Sequence, residues 1–195
     1  MKKLREILKD LNINKSWTLF LDRDGVINKK IDGDYVRNWQ QFEFLPNVIE
    51  ALKILNKIFG RIIIVTNQRG IGRGLMTKED LEYIHAKMLE VFEHNGIKID
   101  KIYYCPHDYK KEFCNCRKPK IGMALQAKVD FPDINFSRSI MVGDSLLDME
   151  FAKNAGMIGV LVNNNSLSKD DFVHFESLYE FTKILNNRKR RQQLC

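Results

Sequence analysis

The chain predicts an α/β fold, a Rossmann-like open parallel sheet with helices on both faces. Short apolar runs such as Thr18–Leu21 and Ile62–Val65 have the composition of strands buried on both faces. Segments with apolar residues at helical spacing lie between these runs. Strands alternating with helices along a whole chain build a parallel sheet joined by crossover connections. The 195 residues, 44% hydrophobic and 29% charged, suit one globular domain with a full core.

Leu4, Ile7, Leu8 and Leu11 mark a short amphipathic helix over residues 2–12, within an N-terminal extension of residues 1–16. The main domain is expected over residues 17–187, opening with a strand at 17–21. Residues 26–38 hold no period and contain the turn Asp32-Gly33-Asp34, so they read as a flap or hairpin. Pro46 opens a helix carrying Val48, Ile49, Leu52, Leu55 and Ile58, and Gly60 stops it. The second strand covers 61–66. Glycines follow at 70, 72 and 74 in a loop, and no helix is expected before Thr77. Thr77 caps that helix, with Asp80 as an acidic variant of the capping box, and Asn95-Gly96 ends it. Strands at 101–104, 139–142 and 158–162 alternate with helices at 119–129 and 146–155, the latter closed by Gly156. A polar loop at 163–170, a last helix at 176–187 and a basic tail at 188–195 complete the chain. The intervals from Asp24 to Thr66 and from Thr66 to Lys118 are filled by these elements, leaving no room for a large cap domain.

The net charge of +7 favours anionic ligands. Part of it lies in Arg188-Lys189-Arg190-Arg191, which reads either as a solvated end or as a contact for nucleic acid. No segment has the length of a membrane-spanning helix. Met1-Lys2-Lys3 looks like the start of a signal peptide, but Arg5, Glu6, Lys9 and Asp10 interrupt any apolar stretch. A cytoplasmic protein with no membrane partner is expected.

The chemistry concentrates at strand ends. The first strand runs into Asp22-Arg23-Asp24-Gly25. Open α/β sheets hold their ligands at the C-terminal ends of strands. Residues two apart in an extended segment leave the same face, so Asp22 and Asp24 form a pair suited to a divalent cation and to attack or proton transfer. The alternative is an Asp/Gly-rich surface turn. Thr66-Asn67-Gln68 ends the second strand, where a hydroxyl and backbone N–H groups can hold phosphate, with Arg69 close behind. Lys118 precedes the 119–129 helix, placed to neutralise phosphate charge. Asp144 follows the fourth strand and supplies a third carboxylate for an Mg²⁺ site. Asp148, one helical turn later, either ligates through water, orients Lys118 or Asp144, or serves as a favourable charge at the helix start.

The cysteines point to a second metal. Cys105, His107, Cys114 and Cys116 together offer three thiolates and an imidazole, a complete tetrahedral shell for a structural Zn²⁺. Three free cysteines and a surface histidine are the alternative. Cys195, the last residue, reads as incidental.

Taken jointly, Asp22-Arg23-Asp24-Gly25, Thr66-Asn67, Lys118 and Gly143-Asp144 with Asp148 resemble the four motifs of the haloacid dehalogenase superfamily of phosphohydrolases, in the family's order. The resemblance spans about residues 17–163. It implies that Asp22 is the nucleophile, Asp24 the acid/base, and Thr66 and Lys118 the stabilisers of the transferring phosphoryl group. It further implies catalytic Mg²⁺ on Asp22, the Asp24 backbone carbonyl and Asp144. The compact zinc loop resembles the branch holding heptose bisphosphate phosphatases and histidinol-phosphate phosphatases. Thr66-Asn67-Gln68-Arg69-Gly70-Ile71-Gly72-Arg73-Gly74 is closer to the heptose enzymes. That resemblance implies removal of the 7-phosphate of a heptose 1,7-bisphosphate, with Asn67, Gln68, Arg69 and Arg117 contacting substrate. The expected partner is therefore a small phosphorylated sugar, taken by a monomer. Ser145 departs from the heptose pattern, which often has Lys there. A histidinol-phosphate phosphatase would need an acidic contact for its substrate's amine, whereas Arg69 and Arg73 are basic. A nucleic-acid 3′-phosphatase or binding module is a third reading. It is disfavoured because the basic tail carries no interleaved aromatics.

Overall fold

The computed structural model describes residues 8, 11–162 and 172–192, with side chains up to residue 186. Six parallel strands form one sheet: β1 (Thr18–Leu21), β2 (Arg61–Asn67), β3 (Lys101–Cys105), β4 (Ser139–Gly143), β5 (Ile158–Val162) and β6 (Val173–Phe175). Their order is β3-β2-β1-β4-β5-β6. The winding direction reverses between β1 and β4, whose neighbours in register include Leu21 and Val142. That reversal opens a crevice at the strands' C-terminal ends.

The period-two alternation of strand side chains divides the core. Leu19, Leu21, Ile62, Ile64, Ile140 and Val142 face one cluster, completed by α1 (Val48–Ile58), α3 (Lys78–His94) and α6 (Leu178–Gln192). Phe20, Ile63, Val65 and Met141 face the other, against α4 (Gly122–Asp130) and α5 (Leu146–Ala155). Helices thus cover both faces, as expected. Among the described residues, only a 3₁₀ turn (Trp39–Gln41) and α1 lie between β1 and β2, so no cap domain is inserted there.

Local details refine the sequence reading. Arg69–Gly72 forms a one-turn helix, α2, inside the glycine-rich loop. A Cβ on Gly72 would lie 2.4 Å from the Asp108 nitrogen, so glycine alone lets this turn press on the segment after β3. The Gly72 N–H donates to the Pro106 carbonyl at 2.8 Å across that contact. The helix expected from Pro119 starts at Gly122, because residues 115–122 first make a turn in which the Gly122 N–H bonds the Asn115 carbonyl at 3.0 Å. The flap is a loop rather than a hairpin, its base closed by an isolated antiparallel bridge between Asn28 and Phe44. β6 adds an edge strand, and the last helix continues to Gln192. The Thr77–Asp80 capping box forms as expected. The helix over residues 2–12 falls mostly outside the described residues, although Leu8 is fully buried in the core. The 163–170 loop lies outside them too.

Candidate active site

Asp22 follows β1 at the crevice and Asp144 follows β4 beside it. A Cβ on Gly25 would come within 2.4 Å of Asp144 Oδ2, and the Gly25 φ of +84° is itself costly for other residues. Glycine is therefore required for this close approach. Carboxylate oxygens of Asp22, Asp144 and Asp148 lie within 4.8 Å of one another. Three carboxylates this close need cationic charge. Lys118 Nζ supplies some of it, 3.0 Å from Asp22 Oδ2 and 2.6 Å from Asp148 Oδ1. Its third hydrogen goes to the Val65 carbonyl at 2.9 Å. Lys30, from the flap, reaches Asp144 Oδ2 at 2.9 Å. The oxygen-only donor set and its excess negative charge fit a hard divalent cation such as Mg²⁺.

Burial raises the Asp22 carboxyl to about 7, opposed by Lys118 and reinforced by Asp148, Asp144 and Asp24. Burial likewise pushes the Asp144 carboxyl up, against the pull of Lys30. For Lys118, burial works against the charged form, but Asp148 and Asp22 outweigh it and hold its pKa above the ordinary value. Two of the three readings of Asp148 hold together. Oδ1 orients Lys118, while Oδ2 accepts from the Ser145 N–H at 3.1 Å and its hydroxyl at 2.6 Å, capping α5.

The Asp24 side chain is held apart from this cluster. It accepts from Arg23 Nη2 at 2.9 and 3.0 Å, Asn28 Nδ2 at 2.9 Å and Gln68 Nε2 at 2.8 Å. Burial pushes its carboxyl up, but Arg23 and these hydrogen bonds outweigh burial and hold it below the ordinary value. Gln68 also donates to Thr66 Oγ1 at 2.9 Å, linking the acid/base candidate to the candidate phosphate-binding hydroxyl. Arg23 and Asn28 escaped the sequence reading. The available signal was Arg23 itself, a charge set between two site residues and fully buried.

Behind Arg23 lies another missed residue, His85, whose Nε2 sits 3.2 Å from Arg23 Nη1. The arginine can only donate, so His85 is neutral and accepts. Burial, then the Arg23 charge, lowers its pKa to about 3. A histidine with a depressed folded pKa costs stability as pH falls from its unfolded value, near 6.5, toward 3, because only the unfolded chain takes the proton. About 2 kcal/mol should be lost from this group between pH 6.5 and 5. His85→Gln, which keeps an acceptor, is expected to flatten the fall in melting temperature over that range.

The cleft is about 200 Å³ and is lined by Asp22, Asp24, Thr66, Asn67, Arg117 and Lys118, together with flap residues Lys30, Ile31, Asp34, Tyr35 and Val36. Asn67 clamps the Lys118 backbone, accepting from its N–H at 3.0 Å and donating to its carbonyl at 3.3 Å. Of the four expected substrate contacts, Asn67 and Arg117 line the cleft, whereas Gln68 and Arg69 do not. Gln68 is fully buried beneath it, and Arg69 is paired to Asp108 at 2.6 Å.

The cysteine cluster starts at the last residue of β3. Donor atoms of Cys105, His107, Cys114 and Cys116 lie within 4.8 Å of one another. The Cys105 sulfur is 2.7 Å from that of Cys116 and 3.6 Å from that of Cys114, beyond a disulfide bond. Burial pushes the Cys105 thiol up, so gathering it here as a thiolate calls for a cation. Three sulfurs and one nitrogen fit a closed tetrahedral Zn²⁺ site.

A 3-2-1-4-5-6 parallel sheet with paired aspartates after β1, Thr66 after β2, a buried lysine and Asp144 after β4 defines a phosphatase of the haloacid dehalogenase class. The chain belongs to the polynucleotide kinase 3 phosphatase family, whose model matches residues 18–158. It is 43% identical over 170 residues to the D-glycero-alpha-D-manno-heptose-1,7-bisphosphate 7-phosphatase of Mycobacterium tuberculosis, spanning 85% of this chain and 89% of that one. It is 44% identical over 146 residues to the D-glycero-beta-D-manno-heptose-1,7-bisphosphate 7-phosphatase of Vibrio cholerae, spanning 71% and 76%. The D,D-heptose 1,7-bisphosphate phosphatase of B. bronchiseptica, crystallised with magnesium and phosphate, matches with a TM-score of 0.78 at 29% identity, covering 88% of this chain and 98% of that one.

Proposed function

We propose that this protein removes the 7-phosphate of D-glycero-D-manno-heptose 1,7-bisphosphate. The observation that carries the reading is Arg117 on the cleft beside Lys118, its Nη1 buried and without a hydrogen-bond partner. A second, distal phosphate would satisfy it bidentately. The likeness to curated heptose bisphosphate phosphatases over most of the chain supports the same substrate.

In this mechanism Asp22 attacks phosphorus and forms an aspartyl phosphate as the bond to the sugar oxygen breaks. Asp24 protonates that oxygen. The incoming phosphate raises the proton affinity of Asp24, so its protonation accompanies substrate binding. Asp24 then takes a proton from the water that attacks the phosphoryl group, releasing Asp22 and inorganic phosphate. Thr66 and Lys118 hold the phosphoryl oxygens as charge develops. Asp22, the Asp24 backbone carbonyl and Asp144 would hold Mg²⁺, which offsets the repulsion between carboxylate and phosphate. Gln68 and Asn67 act by positioning Asp24, Thr66 and Lys118. A monomeric, cytoplasmic enzyme is part of this proposal, and a phosphorylated sugar substrate supports the location.

Lys30 occupies the position on Asp144 that a cation would contest. Lys30→Met is expected to tighten Mg²⁺ binding about two- to fivefold by calorimetric titration, a modest gain because the lysine is half exposed. Weaker Mg²⁺ binding by this variant would show that Lys30 supports the metal site instead.

The family description also names a nucleic-acid phosphatase, which makes a 3′-phosphorylated end the second reading. A phosphate-release screen with Mg²⁺ separates these. It compares both heptose bisphosphate anomers, fructose 1,6-bisphosphate, histidinol phosphate and a 3′-phosphorylated oligonucleotide. The heptose bisphosphates are expected to have the highest kcat/KM. A clear preference for histidinol phosphate or the oligonucleotide overturns the proposal.

A further inference from the structure

Arg117 is oriented by an aromatic ring, and that ring is braced from a second element. The Arg117 guanidinium lies 4.6 Å from the centroid of Tyr109, in the zinc loop. The Arg69 guanidinium, at the start of α2, lies 4.4 Å from the same centroid. Two cations sharing one ring would repel. Asp108 offsets one of them, accepting from Arg69 Nε at 2.6 Å with only 6% of its side chain exposed. Arg117 makes no ion pair among the described residues, so Tyr109 is the side chain that sets its direction. A guanidinium over an aromatic face is held by the ring quadrupole while its N–H edge stays free to donate.

We propose that Tyr109, steadied by the Arg69–Asp108 pair, is a positioning residue that aims Arg117 at the distal phosphate and thereby sets the preference for bisphosphates over monophosphates. This rests on the reading of Arg117 given above. It also accounts for Arg69, which the phosphatase chemistry does not use directly. Half of Tyr109 is exposed, so its removal leaves the core intact.

The test compares kcat/KM for heptose 1,7-bisphosphate and heptose 7-phosphate, which share the scissile group and differ only in the distal phosphate. Tyr109→Ala is expected to lower kcat/KM for the bisphosphate about three- to tenfold, mainly through KM, and to leave the monophosphate unchanged. Tyr109→Phe, which keeps the ring, should retain the wild-type preference. In an Arg117→Ala background, Tyr109→Ala should have no further effect. Equal losses on both substrates, a Phe variant that behaves like Ala, or an undisturbed preference in Tyr109→Ala overturns the positioning role alone. No wild-type turnover of either heptose phosphate, or an Arg117→Ala variant with the preference intact, overturns the substrate reading and this inference with it.

Discussion

Asp22→Asn is expected to abolish phosphate release, lowering kcat by about 10⁴-fold or more, while the protein remains folded. The amide matches the carboxylate in size but cannot form the covalent intermediate. Stability should not suffer. Burial raises the Asp22 carboxyl to about 7, so above that pH the fold holds an anion that its surroundings disfavour. A carboxyl whose folded pKa is raised costs stability as pH rises toward that value, and the neutral amide removes the cost. Lys118 keeps its 2.6 Å partner Asp148 in the variant. Thermal melting at pH 8 should therefore give a melting temperature at or above wild type in metal-free protein. Turnover within tenfold of wild type would remove Asp22 from the role of nucleophile.

Loss of zinc is the second large effect. Residues 106–121 contain no regular helix or strand. Their order depends on the Cys105, His107, Cys114 and Cys116 cluster and on the brace from α2. Arg117 and Lys118 follow Cys116 directly, and Lys118 carries both the Asp22 contact and the Asn67 clamp. Displacing such a group by about 1 Å costs on the order of 10²-fold in rate. Chelation or Cys116→Ser should lower kcat/KM by at least about that factor. Hydrogen exchange should rise over residues 105–118, while the sheet stays protected. Fully active protein that is zinc-free by elemental analysis would contradict this role.

The parts legible in the sequence were those with local signatures. Buried strands such as Arg61–Asn67 announced themselves through unbroken apolar runs, and Thr77–Asp80 through its capping pattern. The aspartates, Thr66, Lys118 and the four residues of the Cys/His cluster stood out as candidates because each sits near a strand end or in a tight cluster. β6 is too short, at three residues, to display an alternation. α2 was hidden because its glycines are poor helix formers; Gly72 is there for close contact with the zinc loop and Gly70 for close contact with the Tyr35 ring of the flap. His85, Lys30 and Tyr109 were not legible for a different reason. Each acts across a tertiary contact, and none has a local pattern that sets it apart from a surface charge or a core ring. Asp148 needed the structure to resolve two compatible roles, since one oxygen orients Lys118 and the other caps α5.

The most direct measurement is ³¹P NMR of the product formed from D-glycero-D-manno-heptose 1,7-bisphosphate in the presence of Mg²⁺. The proposed function predicts loss of the C7 phosphomonoester signal, growth of inorganic phosphate and retention of the C1 phosphate. Release of the C1 phosphate, or no release while another member of the substrate panel is turned over efficiently, would contradict it.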